Sequence, residues 1–144
     1  RVVKAAQVRF YFDADLLGLA KVLAGLRPDI TYPSDPGGVV HKRERPPCTV
    51  TDRAALDTEW IPECARQDWV IITRDSRIQD RPAEREAVRL YEARMVALVG
   101  TEARTTWMQL EVVMSQWRSI ERCTEETGPF IYSATRTTFR AIAL

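Results

Sequence analysis

Histidine occurs once, at His41, and cysteine three times, at Cys48, Cys64 and Cys123, with no CxxC pair among them. A disulfide framework and a zinc site are thereby excluded, and a reducing, cytoplasmic setting is expected. Long apolar runs are missing as well: Trp69 to Ile72 and Met95 to Val99 fall far short of the ~20 residues that span a bilayer, so no membrane crossing is expected. Neither sign of charge predominates, since 21 basic and 20 acidic residues leave a net charge of +1. No global field draws such a chain onto a polyanion, and any nucleic-acid contact has to be local. With hydrophobic residues at 45% and charged residues at 28%, disordered and fibrous classes are excluded too. The chain opens at Arg1 without the charged, apolar and small-residue leader of a signal peptide, and the absent initiator Met reads as a trimmed start.

What remains is a single-domain length of 144 residues, which predicts one domain over 8–144 and a short N-terminal extension over 1–7. Val8 to Phe12 is a short apolar and aromatic run closed by Asp13; Leu16, Leu19, Ala20, Leu23 and Leu26 then recur at helical spacing up to Arg27-Pro28. Ile30 to Tyr32 reads as a second strand, and the Pro-, Gly- and Arg-rich stretch from Pro33 to Pro47 as an irregular surface loop. Ile61, Cys64 and Ala65 mark the inner face of a short helix. It starts no earlier than about Thr58, because Pro62 belongs in a first turn, and Asp57 stands at its mouth. Trp69 to Thr73 has the continuous apolar character of a strand buried on both faces. Pro82 opens a helix with Ala83, Ala87, Leu90 and Tyr91 inward; Met95 to Val99 is the next strand. Trp107, Leu110, Met114 and Trp117 form one longer amphipathic helix, broken at Gly128-Pro129 before a strand over Phe130 to Ala134 and an edge hairpin. The repeated βα order predicts a three-layer α/β/α sandwich with a mostly parallel central sheet of about five strands.

In such sheets ligands bind at the carboxyl ends of the strands. There Asp13 and Asp15 follow the first strand, Asp75 follows the strand ending at Thr73, and Asp57 opens a helix on the same rim. Like charges brought together repel unless a cation lies between them, so a carboxylate cluster without His or Cys points to Mg²⁺ or Mn²⁺ and to phosphate chemistry. Helix capping is the competing use of Asp15 and Asp57. Arg74, Arg77, Arg81 and Lys21 are placed to grip a phosphodiester, with solvated surface charge as the plain alternative. His41 to Arg45 reads either as a flexible nucleic-acid arm or as an ordinary loop. No nucleophile motif accompanies His41, and Gly37-Gly38 lacks the context of a phosphate-binding loop.

Phe10-Tyr-Phe-Asp-Ala-Asp15, Asp57-Thr-Glu-Trp-Ile61, Trp69 to Ile78 with its Thr-x-Asp-x-x-Ile step, and Gly128-Pro-Phe-Ile-Tyr132 together resemble the PIN-like domains, in the compact branch of VapC-type ribonuclease toxins. The resemblance implies a metal-dependent endoribonuclease whose Asp13, Asp57 and Asp75 match the family's metal-binding and catalytic acids, with Asp15 as an auxiliary ligand. In the mechanism that the resemblance implies, Mg²⁺ or Mn²⁺ held by these acids would activate water for in-line attack on phosphorus, and Thr73 and Ser76 would orient the carboxylates. A fourth acid, standard in the family after a later strand, has only Glu102, Asp80 or Asp15 as substitutes here. The resemblance also implies an RNA substrate, a cognate antitoxin and pairing into homodimers, for which Trp107, Met114 and Trp117 offer a face if they are not spent on the core.

Two other enzyme classes share part of this pattern. A haloacid-dehalogenase-like phosphatase would use Asp13 and Asp15 as nucleophile and general acid, but Leu17 stands where it needs Ser or Thr. A phospho-receiver needs a late strand-end Lys, and no Lys follows Lys42. The non-enzyme alternative is a catalytically inactive PIN-like module that binds RNA or protein.

Overall fold

The structure, a computed structural model, describes residues 3–74 and 81–144, with Glu102 as backbone alone. Strand β1 (Lys4–Ala5) leads into β2 (Phe10–Phe12), and a 3-10 turn (Ala14–Leu16) into α1 (Leu17–Ala24). Then come β3 (Ile30–Thr31), β4 (Gly38–Val40), β5 (Arg43–Arg45), α2 (Asp57–Arg66) and β6 (Val70–Arg74). The chain continues through α3 (Pro82–Leu90), β7 (Arg94–Leu98), α4 (Thr106–Ser115), α5 (Trp117–Arg122), β8 (Phe130–Ala134) and β9 (Phe139–Ile142).

The main sheet has six strands in the order β3-β2-β6-β7-β8-β9, parallel throughout except for the antiparallel edge pair β8/β9. Period-two alternation along each buried strand divides the core into two layers. Phe10, Phe12, Val70, Ile72, Val96 and Leu98 pack with Leu19 and Leu23 of α1, Val112 of α4 and Ile120 of α5. Tyr11, Ile71, Met95, Ala97 and Ile131 face the other way, onto Trp60, Ile61 and Cys64 of α2 and Ala87 and Val88 of α3. Side chains of this kind contribute roughly 1.5–3 kcal/mol each when fully buried, so the two layers hold the sheet between the helices. The α/β/α sandwich expected from the sequence is the observed fold. None of the described helices is long and apolar enough to cross a membrane.

The stretch Pro33 to Pro47 is not an irregular loop, nor is His41 to Arg45 a flexible arm. It contains β4 and β5, which join β1 in a second, three-stranded sheet of order β1-β5-β4. His41 and Lys42, at φ 50° and 63°, form the two-residue turn between them, the backbone twist that suits a tight hairpin. No Asn-Gly or Asp-Gly pair announces that turn, which is why composition suggested a loop. A buried ion pair secures it. Asp35 accepts from Arg45 Nε at 2.6 Å and Nη2 at 3.1 Å, from Thr31 Oγ1 at 2.9 Å and from the Gly37 amide at 2.9 Å. Gly37 sits at φ +84°, where a Cβ would run into the Arg45 carbonyl, so only glycine fits beside the pair.

Three helix expectations also change. The inward face of α3 is Glu84, Ala87 and Val88, while Ala83, Leu90 and Tyr91 are exposed; the apolar residues chosen by spacing lie one step around the helix from the face that α2 and the sheet cover. The span from Trp107 to Trp117 is two helices, not one. They meet at Gln116, whose side-chain amide donates to the Thr135 carbonyl at 2.9 Å. Its stripe divides accordingly: Trp117 packs 5.0 Å from the Phe10 ring, whereas Trp107 and Met114 are exposed. Finally, α2 carries Pro62 in its second turn rather than its first. The buried Trp60, Ile61 and Cys64 anchor that helix through tertiary contact, which overrides the local cost of proline.

Candidate active site

Strand β2 has β3 on one side and β6 on the other, so the sheet is built outward in both directions from it. At such a reversal the loops leaving the two central strands part and open a crevice at their carboxyl ends. Asp13, Asp15 and Thr73 occupy that place. The Asp13 amide continues the ladder to the Ile72 carbonyl at 2.9 Å, which fixes the residue at the mouth between β2 and β6.

Asp13 caps the 3-10 turn, its Oδ1 accepting from the Ala14 amide at 2.6 Å. Thr73 Oγ1 lies 3.2 Å from Asp13 Oδ2 and 3.4 Å from Asp15 Oδ2. A hydroxyl has one proton, so Thr73 donates to one carboxylate at a time and ties both to β6. Asp15 also accepts from the Arg74 amide at 3.3 Å. The capping role considered for Asp15 therefore falls to Asp13, and Asp15 reaches across to the neighbouring strand.

Asp57 is the first residue of α2 and does not cap it; Glu59 accepts from the Leu56 amide at 3.1 Å instead. Its Oδ1 accepts from Trp60 Nε1 at 3.1 Å. The Trp60 ring stacks on Tyr11 at 5.6 Å, and Tyr11 stacks on Trp69 at 5.8 Å, so an aromatic column holds the indole that orients Asp57. The Asp57-x-x-Trp60 spacing put both on one helix face, but the indole-to-carboxylate bond was not read from it.

Burial pushes the Asp13 carboxyl above its ordinary value, and the nearby negative charge of Asp57 pushes it further; the Ala14 amide and the Thr73 hydroxyl pull the other way. Among the described residues no ion pair reaches Asp13 or Asp57. Two half-buried carboxylates that sense one another, with no described Arg or Lys paired to either, are a donor set that a hard divalent cation suits.

Asp75, Ser76, Arg77 and Asp80 lie outside the described residues, as does the side chain of Glu102. Among the described residues no group of three His, Cys, Asp or Glu is arranged to hold a metal ion. The remaining expected residues are placed as follows. Arg74 Nε donates to the Ala103 carbonyl at 2.5 Å, a bond that clamps β6 to the segment after β7. Lys21 is exposed on α1, and Arg81 is exposed just before α3.

A family model described as PIN like domain matches residues 8–100, well over half of the chain. The chain belongs to the PIN-like domain family. No curated protein and no solved structure matches it. The match runs from the approach to β2 through the end of β7, and so takes in Asp13, Asp15, Asp57 and Thr73; α4 to β9 lie beyond it. The PIN-like fold is a nuclease-type fold, which supports a hydrolase acting on RNA or other nucleic acid.

Thr73 lends itself to a direct check. Thr73→Val keeps the shape and removes the proton shared by Asp13 and Asp15. Where these carboxylates hold a divalent ion, the expected result is a 10–100-fold loss of Mn²⁺ affinity by titration calorimetry, with an unchanged circular dichroism spectrum.

Proposed function

We propose that this PIN-like domain is a metal-dependent endoribonuclease that hydrolyses RNA phosphodiester bonds at the crevice between β2 and β6. One observation carries the reading: Asp13, at the switch point of the sheet, lies close enough to Asp57 of another element to feel its charge, and no described basic residue pairs with either. In this reading Asp13, Asp57 and Asp75 hold Mg²⁺ or Mn²⁺, with Asp15 beside them. A divalent ion bound there supplies positive charge to the phosphoryl oxygens and lowers the pKa of water at the site. The chain's own work is orientation. Trp60 fixes the rotamer of Asp57; Thr73 fixes those of Asp13 and Asp15; Lys21 and Arg81, with Arg77, are the cations for flanking phosphates.

The finer assignment that we favour is a VapC-type toxin of a toxin–antitoxin pair, acting in the cytoplasm and silenced by a protein that covers the crevice. The exposed Trp107 and Met114 on α4 are candidates for a homodimer face. The test is cleavage of a labelled single-stranded RNA by the purified chain. Cleavage is expected with Mn²⁺, none with EDTA, and none from Asp57→Asn under either condition. Metal-independent cleavage, or full activity in Asp57→Asn, overturns the reading. RNA binding without cleavage under any metal favours the inactive module, and turnover of para-nitrophenyl phosphate with a trapped aspartyl phosphate favours the phosphatase.

A further inference from the structure

A second concavity opens on the same rim of the sheet. It has a volume of about 280 Å³ and is lined by Leu17, Lys21, Tyr32, Pro33, Ser34 and Arg53 among others. Its position relative to the acids follows from chain geometry. Leu17 is two residues beyond Asp15 and starts α1; Lys21 is one turn further along that helix. Strands β2 and β3 pair in parallel with Tyr11 opposite Thr31, so Tyr32 stands one strand over from Phe12, immediately before Asp13. Neighbouring strands are about 4.8 Å apart, which makes this concavity adjoin the acidic crevice.

Its chemistry is complementary to that of the crevice. Lys21 and Arg53 are both exposed, and among the described residues neither takes part in an ion pair. The other described Arg side chains near the core are mostly committed: Arg9 and Arg27 to Asp29, Arg45 to Asp35, Arg94 to Asp68. Tyr32 is half-buried, packed against the core and lining the concavity. The wall that carries Arg53 is fastened across the cavity, since the Ser34 amide donates to the Val50 carbonyl at 2.8 Å and Ser34 Oγ to the Thr51 carbonyl at 2.6 Å. Two uncommitted cations, an aromatic ring and a fixed wall in a space of one nucleotide's scale fit a phosphate together with an unstacked base.

We infer that this concavity is the flanking-nucleotide subsite of the nuclease: Lys21 and Arg53 grip a backbone phosphate next to the scissile one, and Tyr32 receives its base. The inference rests on the nuclease reading and narrows its substrate class to single strands, because a base can enter only when it is free of a duplex stack. The subsite gives the crevice the positive charge its own acids deny it, so that RNA is held by one surface and cut at the next.

The experiment measures binding of a fluorescein-labelled octaribonucleotide by anisotropy in EDTA, where cutting does not interfere, and cleavage separately in Mn²⁺. The K21A/R53A double variant is expected to bind about tenfold or more weakly and to show a salt dependence shallower by about 1 in log–log slope. Tyr32→Leu is expected to lose about tenfold without a shallower slope, and Lys42→Ala, on the β4/β5 turn, to bind as the parent does. In Mn²⁺ the double variant is expected to show a raised KM with kcat within about threefold. Since Lys21 and Arg53 are exposed, the double variant is expected to keep the parent's circular dichroism spectrum. Unchanged affinity and slope in the double variant overturn the subsite while leaving the nuclease standing. Equal affinity for the octamer and its duplex overturns the restriction to single strands. Weakened binding in the double variant, with no cleavage by the parent under any metal, retains a single-strand site but removes the nuclease reading.

Discussion

Asparagine in place of Asp13 is expected to abolish RNA cleavage and, at the same time, to leave the metal-free protein at least as stable as the parent. The loss follows from charge. Metal-ion catalysis is worth several kcal/mol of transition-state stabilisation, so removing a central carboxylate costs at least about 100-fold in rate. The stability effect follows from linkage. Burial and the charge of Asp57 raise the folded-state pKa of Asp13 above its unfolded value. The folded state therefore holds the Asp13 proton more tightly than the unfolded chain does, and that stabilisation is present below the unfolded pKa and is lost as pH rises through the folded pKa. Above that window the parent carries a partly desolvated charge that Asp13→Asn lacks. The amide oxygen of Asn still accepts from Ala14, so the turn is retained. Thermal unfolding in EDTA at pH 7 is expected to favour Asp13→Asn, with the difference vanishing toward low pH. A variant that is both inactive and clearly less stable at neutral pH would contradict this account. Saturating Mn²⁺ is expected to stabilise the parent more than the variant, because a ligand stabilises only in proportion to its affinity for the folded state.

The largest stability effect is expected outside the acidic crevice, at the Asp35–Arg45 pair. Arg45 is 6% exposed through its side chain and Asp35 0%. Arg45→Met leaves Asp35 buried with its charge, and breaking one partner of such a pair costs about 3–5 kcal/mol. For a chain of this length that is a fall in Tm of about 10 °C or more, measurable by calorimetry. The D35A/R45A double variant is expected to lose less than the sum of its singles, since it leaves no unpaired charge. The pair also reaches the site. The Cys48 amide donates to the Asp35 carbonyl at 2.9 Å and the Ser34 amide to the Val50 carbonyl at 2.8 Å, so Asp35 and its neighbours fasten the segment that leads from β5 to Asp57. Arg45→Met is therefore expected to lower nuclease activity as well, at temperatures where the variant is still folded.

How much of this was legible beforehand divides along physical lines. Val70 to Ile72 and Met95 to Leu98 are fully buried central strands, and a strand covered on both faces announces itself as an unbroken apolar run. Asp13 was legible for a related reason, because a carboxylate directly after such a run has to emerge at the sheet's carboxyl edge. The hairpin β4/β5 was not legible: its strands are exposed for the most part, so no alternation marks them, and what orders them is an ion pair between residues 35 and 45. Trp107 and Met114 have the composition of core residues and the right spacing, yet they are exposed, since α4 buries Val112 and Val113 instead. Spacing gives the period of a helix; which arc is covered depends on what packs against it.

The amino-acid sequence alone determined the layered fold, its mostly parallel sheet and the strand end at which Asp13 emerges, because apolar periodicity and chain direction are local properties. Only the tertiary structure decided that Asp15 crosses to β6, that Asp57 is held by an indole, and that Lys21, Tyr32 and Arg53 enclose one concavity. Asp15 and the strand it reaches are nearly sixty positions apart, and the Trp60 indole, though three residues from Asp57, is aimed by stacking on the distant Tyr11; no local pattern records such partners.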